Sequence, residues 1–342
     1  MHSKTILQEL GYNLHEVNPR LHYFKPNTSK TEKTFAEEIS YSLTQNSKFI
    51  HPKFFYDQTG SRLFEQICHL PEYYLTRTEI SILKFLKNEL PQFLDKSYRL
   101  VELGSGSSTK TKLLLDILHD LQERVEYFPI DISDILKEGS QSLLESYENL
   151  HITGVIDTYE GGLKFIKSFD NTPNLVAFLG SSFGNFEYDD SIRFLHDVNS
   201  TMKQSDLFLA GIDLVKDKKI LEDAYNDSRG VTAQFNLNVL QRINNELDAN
   251  FDIDKFYHKA EFNEKENRIE MYLRSKEVQS VNIPKANLSI DFVKDELIHT
   301  EHSHKYTVSQ IENMMDETNF EIKKIWQDPY QNYSMILASK IF

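Results

Sequence analysis

Glycine is scarce in this chain: 12 of 342 residues, about 3.5%, where average usage is roughly 7%. Because glycine serves tight turns and close backbone approach to a ligand, clustered glycines in so poor a background mark places that need such a turn. Cysteine is scarcer still. The single Cys68 excludes an internal disulfide framework and fits a reducing cytoplasm. It follows Ile67 in an apolar-periodic stretch, which fits a buried structural thiol better than a nucleophile. Basic blocks are also missing. Thirty-eight Lys and Arg against 52 Asp and Glu leave a formal charge of −14, which repels a phosphate backbone and argues against a nucleic-acid partner. No apolar run is long enough to span a membrane, and the first residues lack the pattern of a secretion signal. These absences lead to the expectation of a soluble cytoplasmic protein without a membrane partner. A monomer is expected for want of an obvious coiled coil. What is present is ordinary for a globular chain, 39% hydrophobic and 26% charged, with length for about two domains.

Periodicity divides the chain. Residues 1 to about 50 are polar until a short helix at Phe35–Leu43, and helices are predicted from about Ser61 to Cys68 and from Arg77. From residue 98 strands alternate with helices. Strands are read at Arg99–Leu103, Val125–Ile130, Ile152–Ile156, Asn174–Leu179 and Leu207–Leu214. Helices are read at Thr109–Leu121, from a Ser133 N-cap through Leu144, and near Asp190–Met202. Five strands joined mostly by helices predict an α/β fold with a parallel sheet. After Val215 the alternation stops. Helices at 217–226 and 231–247 precede strand-like runs at 256–262, 268–274 and 289–301, an antiparallel insertion. A helix near Val308–Met315 and runs at 320–326 and 334–340 return to the sheet.

In open α/β sheets ligands bind beyond the carboxyl ends of the strands, where strand order reverses. Glu102-Leu103-Gly104-Ser105-Gly106-Ser107-Ser108-Thr109 sits at such an end and opens a helix whose second residue is Lys110. Thr109 stands where a dinucleotide fingerprint has its third glycine, and no Gly-Lys-Ser/Thr of a phosphate loop occurs. Asp131 ends the second strand, placed to accept hydrogen bonds from a ribose diol. A glycine turn and an acid in this order suit an adenosine-bearing ligand, either a nicotinamide cofactor or S-adenosylmethionine. The missing third glycine, and the second glycine loop Gly180–Asn185 after the fourth strand, favour the methyl donor. Asp157, after the third strand, is a candidate acceptor from the adenine amino group, with a solvated turn aspartate as the alternative.

A wider set of residues resembles one family. Phe54-Phe55-Tyr56-Asp57-Gln58-Thr59-Gly60-Ser61, Leu70-Pro71-Glu72-Tyr73-Tyr74-Leu75-Thr76-Arg77-Thr78-Glu79 and Glu102–Thr109 resemble the histidine-specific methyltransferases. So do Leu179–Asn185, Gly230-Val231-Thr232-Ala233 and Thr300-Glu301-His302-Ser303. The likeness covers nearly the whole chain from about residue 20. It implies a class I, Rossmann-like methyltransferase sheet (79–214 and 306–342) with a second, mixed α+β substrate-binding module (1–78 and 215–305). It implies transfer of methyl groups from S-adenosylmethionine to the α-amino nitrogen of L-histidine, up to the trimethylated hercynine of ergothioneine biosynthesis, with S-adenosylhomocysteine as co-product and no metal.

Carried over residue by residue, the resemblance implies that Asn185 and Tyr73 hold the substrate carboxylate. Tyr56 faces the amino group, and the Gly180 carbonyl helps to orient it; Tyr56 and Asn185 are the implied catalytic pair. Tyr225 lines the amino-acid end, and Thr232 reaches the ring through water. Glu301 and Ser303 bind the imidazole, and Met271 packs against it. Gly104, Ser105, Gly106, Lys110, Asp131 and Asp157 are the implied cofactor contacts. His302 stands where the family often has an aliphatic residue, and Asp157-Thr158-Tyr159-Glu160 departs from the bacterial Gly-Asp-Phe-Glu pattern. Simple strand alternation puts Glu301 and Ser303 on one face and His302 and His304 on the other. It therefore splits the alternative metal cluster of His299, Glu301, His302 and His304. An acceptor other than histidine, such as a tryptophan derivative, or a catalytically silent small-molecule sensor stands as the alternative.

Overall fold

The computed structural model describes residues 11–27, 33–106, 109–132 and 136–342. Ser107 and Ser108 of the first glycine loop, and Ser133, expected as an N-cap, lie outside these residues. The chain divides into two compact units. The first gathers the described part of Met1–Ser29 with Arg77–Leu214 and Tyr306–Phe342; the second gathers the described part of Lys30–Thr76 with Val215–Lys305.

The first unit is built on one nine-stranded sheet. Its strands are β1 (Tyr12–Asn18), β2 (Leu21–Pro26), β3 (Arg99–Leu103), β4 (Val125–Asp131), β5 (Leu150–Ile156), β6 (Asn174–Phe178), β7 (Leu207–Asp213), β13 (Phe320–Gln327) and β14 (Tyr333–Lys340). They lie in the order β1-β2-β5-β4-β3-β6-β7-β14-β13. Strands β2 through β7 pair in parallel, while β14 runs antiparallel to both neighbours. The helices α4 (Thr109–Leu121), α5 (Leu136–Ser146), α6 (Tyr159–Phe169), α7 (Tyr188–Thr201) and α10 (Val308–Glu317) connect them. Strands β3, β6 and β7 are buried along their whole length, as a parallel sheet covered on both faces requires. Leu100 and Val101, neighbours on β3, fall in different hydrophobic clusters, one on each face. The chain moves outward from β3 through β4 to β5, then returns to the other side of β3 for β6. That reversal places a switch point at the carboxyl ends of β3 and β6. This is the Rossmann-like α/β sheet that the sequence predicts.

One boundary needs correction. The stretch before residue 50, expected to be unpatterned and grouped with the substrate module, contains β1 and β2. β1 pairs antiparallel with β2, and β2 pairs in parallel with β5, so Tyr12–Pro26 extends the large sheet. Only Leu21, Tyr23 and Phe24 of β2 and Tyr12 of β1 are buried. An edge hairpin with one short apolar face gives little periodic signal.

The second unit holds α1 (Phe35–Leu43), α2 (Gln58–Cys68), α8 (Lys218–Tyr225), α9 (Val231–Leu247) and five strands: β8 (Phe256–Asn263), β9 (Arg268–Ser275), β10 (Gln279–Ile283), β11 (Leu288–Phe292) and β12 (Leu297–His304). A three-stranded antiparallel sheet runs β12-β9-β8, and β10-β11 forms a separate hairpin. The single run expected at 289–301 is thus two strands. Asp295 breaks it with a left-handed φ of 71°. Ile39, Phe55, Phe235, Val239, Met271 and Ile298 belong to this unit's own core. Helix α3 (Tyr74–Glu89) begins three residues before the expected Arg77. Among the described residues, no helix is long and apolar enough to cross a membrane.

Candidate functional site

The first glycine turn leaves β3 at its carboxyl end. Gly104 and Gly106 have φ of 71° and 47°, a region L side chains adopt only at a cost. Ser105 between them is buried. Glu102, just before the turn, is 2% exposed and accepts from the Tyr127 hydroxyl at 2.5 Å and the Thr111 hydroxyl at 2.8 Å. Burial pushes its carboxyl up to about 7, and the two hydroxyls oppose that rise. Asp131 is the last residue of β4 and half-buried. Asp157, directly after β5, accepts from the Thr158 amide at 2.7 Å and from the hydroxyl of Tyr12 on β1. Asp157 is therefore no free turn aspartate: the edge hairpin holds one of its oxygens.

The second turn leaves β6. Gly180 and Ser181 have φ of 83° and 56°, and a 3-10 helix over Ser182–Asn185 follows with Gly184 buried inside it. Asn185 ends this helix, half-buried. The Gly180 amide donates to both carboxylate oxygens of Glu79, at 2.8 and 3.0 Å. Glu79 is 1% exposed and also accepts from the Lys110 ammonium at 2.9 Å and the Tyr333 hydroxyl at 2.8 Å. One buried carboxylate thereby holds the β6 turn, the first turn of α4 and strand β14. Lys110, expected only as a cofactor contact, is the cation of this network.

The second unit carries the remaining candidates. Tyr56 follows a 3-10 helix over Pro52–Phe55. Asp57 then caps α2, accepting from the Gly60 amide at 2.7 Å and from the Asn238 side chain at 2.9 Å. Gly60 has no room for a side chain, since a Cβ would lie 1.7 Å from the Phe55 carbonyl oxygen. This tight loop presents Tyr56 at 42% exposure, its ring edge-on to Phe64 and Phe235. Tyr73 is 8% exposed and meets Tyr225 edge-on at 6.1 Å. Burial drives its hydroxyl well above its ordinary range, with Tyr225, Cys68, Tyr56 and Glu301 adding to the effect. Tyr73 is thus a neutral hydrogen-bond donor. Cys68 is half-buried, less enclosed than its stretch predicted.

Strand β12 has a bulge. Its pairing with β9 slips between His299, opposite Tyr272, and Glu301, opposite Met271. Thr300 is the extra residue, buried, its hydroxyl donating to the Met271 carbonyl at 3.1 Å. Glu301 and Ser303 share a face, as expected. The bulge alters the other grouping, however: the His299 and His302 rings stack at 5.8 Å. His299 therefore sides with His302 and His304, where unbroken alternation had paired it with Glu301. Met271 is 2% exposed. The Tyr225 hydroxyl, at the end of α8, donates to Ser303 Oγ at 2.9 Å. Lys305, 1% exposed, donates to both of those oxygens at 2.9 Å. Burial raises the Glu301 carboxyl to about 7, and the Lys305 charge works against that rise.

Thr232 lies in the first turn of α9, 3% exposed. Its amide donates to Asp227 at 2.7 Å, and the Val231 and Arg229 amides donate to the same carboxylate. Burial alone would raise the Asp227 carboxyl, but these amides outweigh it and hold it below its ordinary value.

A family model described as "Histidine-specific methyltransferase, SAM-dependent" matches residues 35–340. The chain belongs to this family. It is 38% identical over 302 residues to the histidine N-alpha-methyltransferase of Mycolicibacterium smegmatis, covering 88% of this chain and 93% of that one. It is 28% identical to ergothioneine biosynthesis protein 1 of Schizosaccharomyces pombe, over 84% of this chain and 38% of that longer protein. A 4-dimethylallyltryptophan N-methyltransferase of Claviceps purpurea is 26% identical, with 90% and 95% covered. The first unit fits the family's S-adenosylmethionine: Gly106 faces open space where a Cβ would meet nothing within 4 Å, and Asp131 offers a half-buried acceptor one strand away.

Four residues escaped the sequence reading. Lys305 lies two places beyond Ser303, so the alternation that linked Glu301 to Ser303 would have found it if carried one step further. Glu79 ends the Thr-Arg-Thr-Glu segment already matched to the family. Asp227 stands four residues before α9, a spacing from which a carboxylate can reach helix amides. Tyr12 carries no local signal, because its partner lies 145 residues away.

Proposed function

We propose that the chain methylates the α-amino nitrogen of L-histidine with S-adenosylmethionine, three times in succession, yielding hercynine for ergothioneine biosynthesis. The observation that carries this reading is the Glu301–Ser303 pair, on one face of β12 beside Met271. A carboxylate and a hydroxyl so spaced suit a ring with nitrogen at both ends. The single ring nitrogen of a tryptophan derivative would leave one of them unmatched, and an unmatched buried polar group discriminates strongly.

Bound S-adenosylmethionine supplies a sulfonium methyl, which the amine lone pair takes as the carbon–sulfur bond breaks and S-adenosylhomocysteine leaves. The residues align that lone pair and keep it available, and alignment alone is worth several kcal/mol, on the order of 7 in favourable cases. Tyr56 orients each successive amine through an uncharged hydroxyl, assisted by the Gly180 carbonyl. The amine's proton leaves to water. Tyr73 and Asn185 hold the substrate carboxylate as neutral donors, and Tyr225 and Thr232 line the amino-acid and ring ends. Gly104, Ser105 and Gly106 form the turn for the methyl donor, and Lys110 contacts it from the first turn of α4. Asp131 takes its ribose hydroxyls and Asp157 its adenine amino group. The single cysteine and the charge of −14 support a cytoplasmic enzyme with a small-molecule partner, and we propose that it acts as a monomer.

Incubation with S-adenosylmethionine and an equimolar mixture of the standard amino acids tests this reading by mass spectrometry. Histidine carrying one, two and three added methyl groups is the expected outcome. No methylated amino acid, or methylation of another one, contradicts it.

A further inference from the structure

The hydrogen-bond wiring behind Ser303 has a direction. A serine hydroxyl has one proton to give and two lone pairs to accept with. Ser303 Oγ accepts from the Tyr225 hydroxyl and from the Lys305 ammonium, each at 2.9 Å. Both lone pairs are used. The Tyr225 oxygen itself accepts from Lys305 at 2.9 Å, so its proton is directed to Ser303 and not back toward the lysine. An ammonium cannot accept a hydrogen bond, and Lys305 is 1% exposed, which fixes it as the origin of the chain. All that Ser303 has left for a ligand is its own proton.

We propose that Lys305 is a positioning residue that makes Ser303 an obligate donor, so that the site takes a ring with one N–H and one bare nitrogen and rejects a ring that can only donate. The inference rests on histidine being the ring bound. Glu301, on the same face, accepts the ring N–H, and Ser303 donates to the other nitrogen. Neutral imidazole satisfies both ends in one tautomer. Imidazolium, with N–H at both ends, turns one proton against the Ser303 proton. Lys305 also favours the ionised form of Glu301 by its charge, so one buried cation sets the polarity of both ends.

The test is calorimetric binding in the presence of S-adenosylhomocysteine, which prevents turnover. The ligands are L-histidine, 3-(pyrrol-2-yl)alanine and 3-(pyrrol-3-yl)alanine. Each pyrrole ring has an N–H and no bare nitrogen, and the two isomers place it at the two positions of the imidazole. The wild-type protein is expected to prefer histidine to both analogues. Lys305→Met frees a lone pair on Ser303 and lets its hydroxyl rotate. The preference for histidine over the weaker-binding isomer should then fall by about tenfold, the worth of one buried unmatched polar group. Tyr225→Phe removes the other donor and should lower the same preference. It also serves as the deciding variant if Lys305→Met does not fold.

A preference unchanged within about twofold in the folded variants, whatever happens to their melting temperature, overturns the proposal and leaves Lys305 a structural residue. Failure of the functional reading looks different: the wild-type protein itself would not bind histidine, and both would fall together.

Discussion

The two units solve recognition in different materials. In the first, the proposed donor site leans on backbone: the left-handed glycine turn at the end of β3, with Asp131 and Asp157 at the ends of the next two strands, and both this turn and the one after β6 have buried carboxylates tied off behind them. Glu79 holds the Gly180 amide, Lys110 and Tyr333, and Glu102 holds Tyr127 and Thr111. In the second, the proposed acceptor site is made of side chains: Glu301 and Ser303 on one face of β12, set in register with Met271 by a bulge, and Lys305 just past the strand's end. A backbone site needs a fold and a few glycines. A side-chain site needs each residue type at its own position, so single substitutions should separate the two.

The largest separation is expected from Glu301→Ala. Loss of the only carboxylate assigned to the ring should lower kcat/KM for histidine by about a hundredfold or more, while calorimetric affinity for S-adenosylhomocysteine stays within about twofold. Comparable losses in both would erase the distinction drawn above. Glu79→Gln probes the other unit. It breaks a buried ion pair and weakens the hold on the Gly180 amide, and should cost about 3 kcal/mol of stability in denaturant titration. Selectivity for histidine among amino acids should not change, and a shift in selectivity would show that Glu79 shapes the acceptor site.

The smallest effect is one of pH. The Glu301 carboxyl is raised to about 7 by burial, with Lys305 opposing and Tyr73 nearby. It accepts a ring N–H more strongly when ionised, so histidine binding should strengthen severalfold as pH rises through about 7. Glu301→Gln should make that limb shallower, leaving the share that comes from the ring's own loss of a proton. For stability the sign is reversed. A raised carboxyl makes the folded state the tighter proton binder between its ordinary 4.5 and about 7, so its contribution to stability declines as pH rises across that window. Histidine affinity with the same pH profile in Glu301→Gln would assign the limb to another group.

The contrast also explains what was legible beforehand. The parallel strands β3, β6 and β7 are buried end to end, so β6 and β7 stand out as mostly apolar runs and β3 as a short one interrupted by Glu102, with the glycine turns at the ends of β3 and β6. The edge hairpin of β1 and β2 was missed because few of its residues are buried. With it went Tyr12, whose role exists only through Asp157 on a distant strand. On the acceptor side Glu301 and Ser303 were readable from the family resemblance. The bulge at Thr300 was not, since nothing in Thr-Glu-His-Ser announces an extra residue in a ladder. That bulge regroups the histidines, and the proton polarity imposed by Lys305 depends on two hydroxyls brought together from residues 225 and 303. Backbone sites are written locally, and side-chain sites depend on register.

In the proposed complex both ring nitrogens are held, so chemistry occurs at the amine alone. Fragmentation mass spectrometry of the histidine product locates each added methyl group directly. Every methyl on the α-amino nitrogen, through the mono-, di- and trimethylated products, is the predicted result. A methyl on either ring nitrogen would contradict the account.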